Sequence, residues 1–230
     1  LAAYGERVRW VQELPASFSG VVLGNEVLDA MPVQLLARVG SVWHERGVVL
    51  RAGQLAWADR PTELRPPLAV DGPHDYLTEV HAQAQAWMRT LAKRLQRGAV
   101  FLIDYGFPEA EYYHPQRSTG TVMCHRAHEA DANPLVQVGL KDITAHVNFT
   151  GVALAGQDAG LQVLGYTSQG RFLLNCGLLD GMADAPLPER VMLQKLTHEH
   201  EMGELFKVIA LMPAANATTV LPGFVHQRQV

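Results

Sequence analysis

Two short apolar runs constrain this chain more than any other feature. Gly20-Val21-Val22-Leu23 and Ala99-Val100-Phe101-Leu102-Ile103 are too short for core helices, and each stops on polar residues, Asn25, Glu26 and Asp29 after the first and Asp104 and Tyr105 after the second. Runs of this kind read as strands buried on both faces. A helical pattern lies between them: Ala84, Trp87, Met88, Leu91 and Leu95 recur at helical spacing from His81 to Arg97, and Gly98 is expected to stop the helix in a left-handed cap. A strand, a crossover helix and a second strand imply an α/β chain with a parallel sheet. Further strands are expected at Val8 to Leu14, Leu161 to Tyr166 and Leu205 to Leu211, with helices from Thr150 (as cap) to Gly160, Phe172 to Leu179 and Pro188 to His200.

Two stretches break that rhythm. From Gln34 to Asp59, β-rich segments interrupted at Gly40, Gly47 and Gly53 read as an antiparallel meander, followed by a loop marked by Pro61, Pro66, Pro67 and Pro73. From Tyr105 to Thr150 there is little periodicity but many aromatic and polar groups, the pattern of a functional loop. The expectation is one domain over 1–230, with a β-rich insertion at about 34–60 and a loop-rich, partner-facing insertion at about 105–150. At 230 residues and 48% hydrophobic, the chain can bury a full core. A formal charge of -4 supplies no field to attract nucleic acid, two cysteines fit a reducing compartment, and no apolar run spans a bilayer.

In an open parallel sheet, ligands sit beyond the carboxyl ends of the strands. Asn25, Glu26 and Asp29 at one strand end and Asp104 and Tyr105 at another should therefore face one crevice. The plainer alternative is that Asn25 or Asp29 caps the next helix. The histidines allow a different reading, in which His114, Cys124, His128 and His146 gather round zinc, but their spacing matches no finger pattern, and no metal is expected. His125, with His114 and His146, reads instead as binding loop backbone or a protein substrate, and Arg117 as clamping an anion or pairing with a carboxylate.

Several segments, taken together and in this order, resemble the MidA family: Asn25-Glu26-Val27-Leu28-Asp29-Ala30-Met31-Pro32, Thr78-Glu79-Val80, Leu102-Ile103-Asp104-Tyr105-Gly106, Tyr113-His114-Pro115-Gln116-Arg117, Gly120-Thr121-Val122-Met123-Cys124-His125, Lys141-Asp142-Ile143-Thr144-Ala145-His146-Val147 and Phe206-Lys207-Val208. These are class I S-adenosylmethionine-dependent methyltransferases, among them the mitochondrial protein-arginine methyltransferase that assists assembly of respiratory complex I. The resemblance implies a Rossmann-like sheet with a final antiparallel strand and a methyl donor over the strand ends. In that fold a Gly-rich turn after the first strand and an acidic residue after the second hold the cofactor. No G-x-G occurs here, and the first two strands are expected to be missing, leaving an open edge that a second copy could cover in a homodimer.

The resemblance implies S-adenosylmethionine-dependent methyl transfer to a protein side chain, arginine of a partner protein, by an enzyme of which this fragment alone is inactive. Asn25 and Glu26 would lie beside the cofactor. Glu26, Asp29, Asp104 and Tyr105 would be catalytic, and His114, Arg117 and His146 would bind substrate. An arginine acceptor needs carboxylates, because its guanidinium is a planar donor fork that resists deprotonation. The expected compartment is the cytoplasm of a bacterium or the mitochondrial matrix of a eukaryote. The alternative function is a non-catalytic assembly factor or binding module with the same fold.

Overall fold

The computed structural model describes residues 2–127, 129–180, 182, 184–216 and 221–225. In chain order the elements are β1 (Phe18–Asn25), β2 (Gln34–Val39), β3 (Val42–Arg51), β4 (Gln54–Pro61), β5 (Tyr76–Val80), α1 (Ala82–Arg94), β6 (Leu95–Phe107), α2 (Glu109–Tyr112), β7 (Met123–Arg126), β8 (Glu129–Asp131), β9 (Asp142–Thr144), β10 (Val147–Asn148), α3 (Phe149–Asp158), β11 (Leu161–Ser168), α4 (Gln169–Asn175), α5 (Leu187–Thr197), α6 (Met202–Leu205) and β12 (Phe206–Pro213).

The main sheet runs β1-β6-β12-β11. β1 and β6 are parallel, with Leu23 opposite Phe101 and Asn25 opposite Ile103, while β12 lies antiparallel to both β6 and β11. β12 is buried on both faces, and its period-2 alternation feeds two cores. Ile209 and Leu211 join α1 (Met88, Leu91) and α3 (Phe149, Val152) on one face. Val208 and Ala210 meet Phe172 of α4 and Phe224 on the other. The α/β sheet with its antiparallel last strand is the expected fold. Among the described residues no strand covers the outer edge of β1, where Val21 and Leu23 are each 71% exposed.

Several expectations need correction. Residues 8–14 form no strand; Val8, Trp10 and Val11 are exposed and gain no ladder partner. Gly98 does not end a helix. α1 stops at Arg94, Leu95 is already extended, and Gly98 lies inside β6 at φ 122°, where a Cβ would come within 1.8 Å of the Gly20 carbonyl oxygen. Gly98 thus permits the close approach of β1 and β6. Asn148, not Thr150, caps α3: its Oδ1 accepts from the Gly151 N–H at 3.0 Å, while Thr150 Oγ1 accepts from the Glu109 N–H.

The meander forms as expected but gains a fourth strand, giving the order β4-β3-β2-β5. The stretch read as loop contains a three-stranded β8-β7-β9 sheet, whose strands of three or four residues are too short to display a period.

Candidate functional site

β1 ends in a turn held from below by one carboxylate. Asp104, buried at 1% exposure, accepts the N–H groups of Val27, Leu28 and Asp29 on Oδ2 at 3.2, 2.9 and 3.3 Å, and the Tyr105 N–H on Oδ1 at 3.0 Å. Burial and the neighbouring Asp29 charge push this carboxyl up to about 7, against the pull of its N–H donors. The turn begins with Glu26 at φ 50°, a left-handed conformation unusual for Glu, fixed by its N–H donating to the Ile103 carbonyl at 2.9 Å. The exposed Asn25 amide donates to Glu26 Oε1 at 3.2 Å.

The turn presents Asp29 to a cleft of about 860 Å³ beyond the strand ends, which Glu26, Tyr105, Arg117, Thr121, His125 and His146 also line. Tyr105 donates its hydroxyl hydrogen to Asp29 Oδ2 at 2.5 Å. Burial, reinforced by that carboxylate, pushes the phenol far up, so it stays a donor. Asp29 is 4% exposed, and its other oxygen, Oδ1, is buried without a hydrogen-bond partner, as is His146 Nδ1. The His146 ring packs edge-on against Tyr105 and Phe107, and Arg117 lies 3.7 Å over the Phe107 ring while its Nη2 donates to Glu111 Oε1 at 3.0 Å. Two residues that line the strand-end cleft thus each carry a buried polar atom without a partner, an arrangement that a ligand's polar groups would complete.

Behind the cleft lies a buried acid that sequence reasoning did not single out for a role. Glu79, 0% exposed, accepts the N–H groups of Thr121 and Val122 on Oε1 at 2.7 and 3.1 Å, and the hydroxyls of Tyr112 and Thr121 on Oε2 at 2.7 and 3.1 Å. His81 Nε2 meets the Tyr112 hydroxyl at 3.0 Å, and Thr121 Oγ1 accepts the His146 N–H at 3.1 Å. Gly120, at φ 73°, passes so close that a Cβ would lie 2.7 Å from Glu79 Oε1. The network therefore fixes both the 119–122 wall and the backbone of His146. The available signal was Thr78 and Glu79, two polar residues running straight into a helix.

The expected residues separate on inspection. Glu26, Asp29, Tyr105, Arg117 and His146 converge on the cleft, with Asn25 beside Glu26 at its edge. Asp104 does not line it; its oxygens are occupied by the backbone of the turn. His114 is also outside: it is exposed, and its Nδ1 accepts the Gln116 N–H at 3.3 Å. Among the described residues no three His, Cys, Asp or Glu side chains gather as a metal site, and His128 lies outside those residues.

Burial lowers both His81 and His146 to about 4, with the Arg117 charge adding to the effect at His146. Between the ordinary 6.5 and 4, an unfolded chain takes up protons that these folded imidazoles refuse, so their contribution to stability is lost as pH falls through that window. Asp104, shifted upward, acts in the opposite sense as pH rises toward 7. An NMR titration should find the His146 ring signals static from neutral pH downward and moving only near pH 4; movement near 6.5 would show that the ring is solvated.

Comparison with known proteins bears on the fold and the family. A crystal structure of a Burkholderia thailandensis protein bound to S-adenosyl-homocysteine superposes with a TM-score of 0.91 at 47% identity, covering 98% of this chain and 61% of that one. A native crystal structure from the same organism gives 0.90 at 49% identity, covering 96% and 62%. The Caenorhabditis elegans "Protein arginine methyltransferase NDUFAF7 homolog, mitochondrial" is 25% identical over 228 residues, 91% of this chain and 51% of its own length. The chain thus spans about half of that relative and under two thirds of the solved structures. The family described as "Putative S-adenosyl-L-methionine-dependent methyltransferase" matches residues 1–167, well over half of the chain. By that match the chain belongs to this S-adenosyl-L-methionine-dependent methyltransferase family.

Proposed function

We propose that the whole protein transfers a methyl group from S-adenosylmethionine to an arginine side chain of a partner protein, and that this chain supplies the acceptor side of the active site. The observation that carries the reading is Asp29: one oxygen is fixed by Tyr105 at 2.5 Å, and the other is buried, unpartnered and at the cleft. A guanidinium donates in a planar fork, and a buried carboxylate oxygen without a donor is its natural complement. His146, on the same cleft, carries a second buried polar atom without a partner, Nδ1.

The residues fit one flank of the cofactor. Asn25 and Glu26 present an exposed amide and carboxylate at the strand end, suited to its polar groups, and Glu26 and Asp29 suit its sulfonium charge. Among the described residues no strand ends in a Gly-x-Gly turn. Bound S-adenosylmethionine would supply an electrophilic methyl group on a positively charged sulfur. Asp29 would orient the acceptor nitrogen and localise the guanidinium charge away from it, and Tyr105 would hold Asp29 in place. Asp29 stands ready to receive the proton that this nitrogen sheds as its bond to carbon forms. Asp104 acts as a positioning residue through the turn.

The test is to incubate the full-length protein with methyl-labelled S-adenosylmethionine and a protein extract, then hydrolyse the labelled protein. Label is expected in methylarginine; label on lysine would transfer the reading to another acceptor, and cofactor binding without label in any protein would favour a non-catalytic assembly factor.

A further inference from the structure

A second cavity, of about 560 Å³, opens between the meander and the small sheet. Leu35, Val48, Leu55 and Trp57 form one wall, and Leu135 and Ile143 the other. Val48, Leu55 and Ile143 are 49%, 41% and 47% exposed, so the walls are open to solvent. The charges on the meander side satisfy one another: Arg46 pairs with Asp59 at 2.7 Å, and Arg60 with Glu45 at 2.5 Å. The cavity adjoins the candidate active site, because Asp29, Val122 and Thr144 line both. An apolar trough thus lies beside a buried carboxylate whose Oδ1 has no partner.

We propose that this trough is the substrate-docking groove, seating a large apolar side chain of the partner protein that flanks the arginine presented to Asp29. The inference rests on the protein-substrate reading above and adds what that reading lacks, a sequence preference around the acceptor. The occupant follows from the chemistry of the two ends. Asp29 calls for a cationic donor, and the walls, with their own charges already paired, call for an aliphatic or aromatic neighbour on the same chain. A free cation would gain nothing from the walls, and a purely apolar ligand would leave Asp29 Oδ1 buried and unpaired.

The test uses the full-length protein and fluorescein-labelled peptides that carry one arginine flanked either by leucine or by serine. Anisotropy reads binding, and methyl label reads transfer. Wild type should bind the leucine-flanked peptide about tenfold to a hundredfold more tightly, as expected for burial of one such side chain. Leu55→Asp and Val48→Asp, both at solvent-exposed positions, should each reduce that preference toward one. Preference in binding without methyl transfer supports the groove and refutes the methyl-transfer reading. Methyl transfer with equal use of both peptides refutes the groove and keeps the methyl-transfer reading; neither binding nor transfer refutes both. A dimer that Leu55→Asp converts to monomers with the peptide preference intact assigns the trough to a second copy and also overturns the proposal.

Discussion

Asp29→Asn in the full-length protein should lower kcat for methyl transfer by about a hundredfold to a thousandfold, the usual cost of removing one preorganised electrostatic group from a reacting centre. The substitution keeps an oxygen for the Tyr105 hydroxyl and leaves the backbone N–H that Asp104 holds, so the turn retains its shape. It removes the charge and replaces one buried oxygen with an N–H₂ group that would face the donors of a guanidinium. Thermal stability should shift by only a few degrees while turnover collapses, and steady-state kinetics alongside a melting curve separates the two. A kcat within threefold of wild type would remove Asp29 from the mechanism.

Glu79→Gln should act the other way round, through the fold first. The four groups bonded to this side chain include two backbone N–H donors, on Thr121 and Val122, that have no substitute acceptor if an amide N–H₂ turns toward them. The amide oxygen can stay toward Thr121 and Val122 only if the N–H₂ faces the Tyr112 and Thr121 hydroxyls, which must then turn from donating to accepting. Weakening buried charge-assisted hydrogen bonds of this kind costs about 1.5–3 kcal/mol, which for a chain of this size lowers the melting temperature by about 5 °C. Differential scanning calorimetry measures this directly. Because the same network holds the His146 backbone through Thr121, the surviving folded protein should also lose turnover. A melting temperature unchanged within a degree or two would mean that Glu79 is dispensable to the wall.

The division between what the sequence revealed and what it concealed has physical causes. Short apolar runs ending in carboxylates located β1 and β6, because a parallel strand turns from apolar to polar at its carboxyl end, although β1 is largely exposed where burial on both faces was expected. Glu26, Asp29 and Tyr105 were legible for that reason. Asp104 was grouped with Tyr105 because they are adjacent, yet adjacent strand residues point to opposite faces: Asp104 turns under the β1 turn while Tyr105 faces the cleft. The expected helix end at Gly98 failed similarly. A glycine at positive φ serves a helix cap or a close strand approach equally well, and only the Gly20 carbonyl opposite it decides. β5 and Glu79 were not recognised because Tyr76–Val80 contains two polar residues, Thr78 and Glu79, and the partners of Glu79 lie 42 and 33 positions away, in Thr121 and Tyr112. Pairings at that separation leave no local period. His114 and His146 are the same residue type in the same irregular stretch, and only tertiary placement puts one in solvent and the other in the cleft.

The carboxylate beneath the β1 turn also determines what that turn cannot hold. Consecutive backbone N–H groups converging on one point form a concavity that in many proteins receives a phosphate. Here Asp104 fills it from inside, so the N–H groups of Val27, Leu28 and Asp29 are already committed. An incoming phosphate would meet a buried acid in place of open donors. At this strand end the backbone donors are spent inside the fold, and the carboxylates left beside the cleft are those of Glu26 and Asp29.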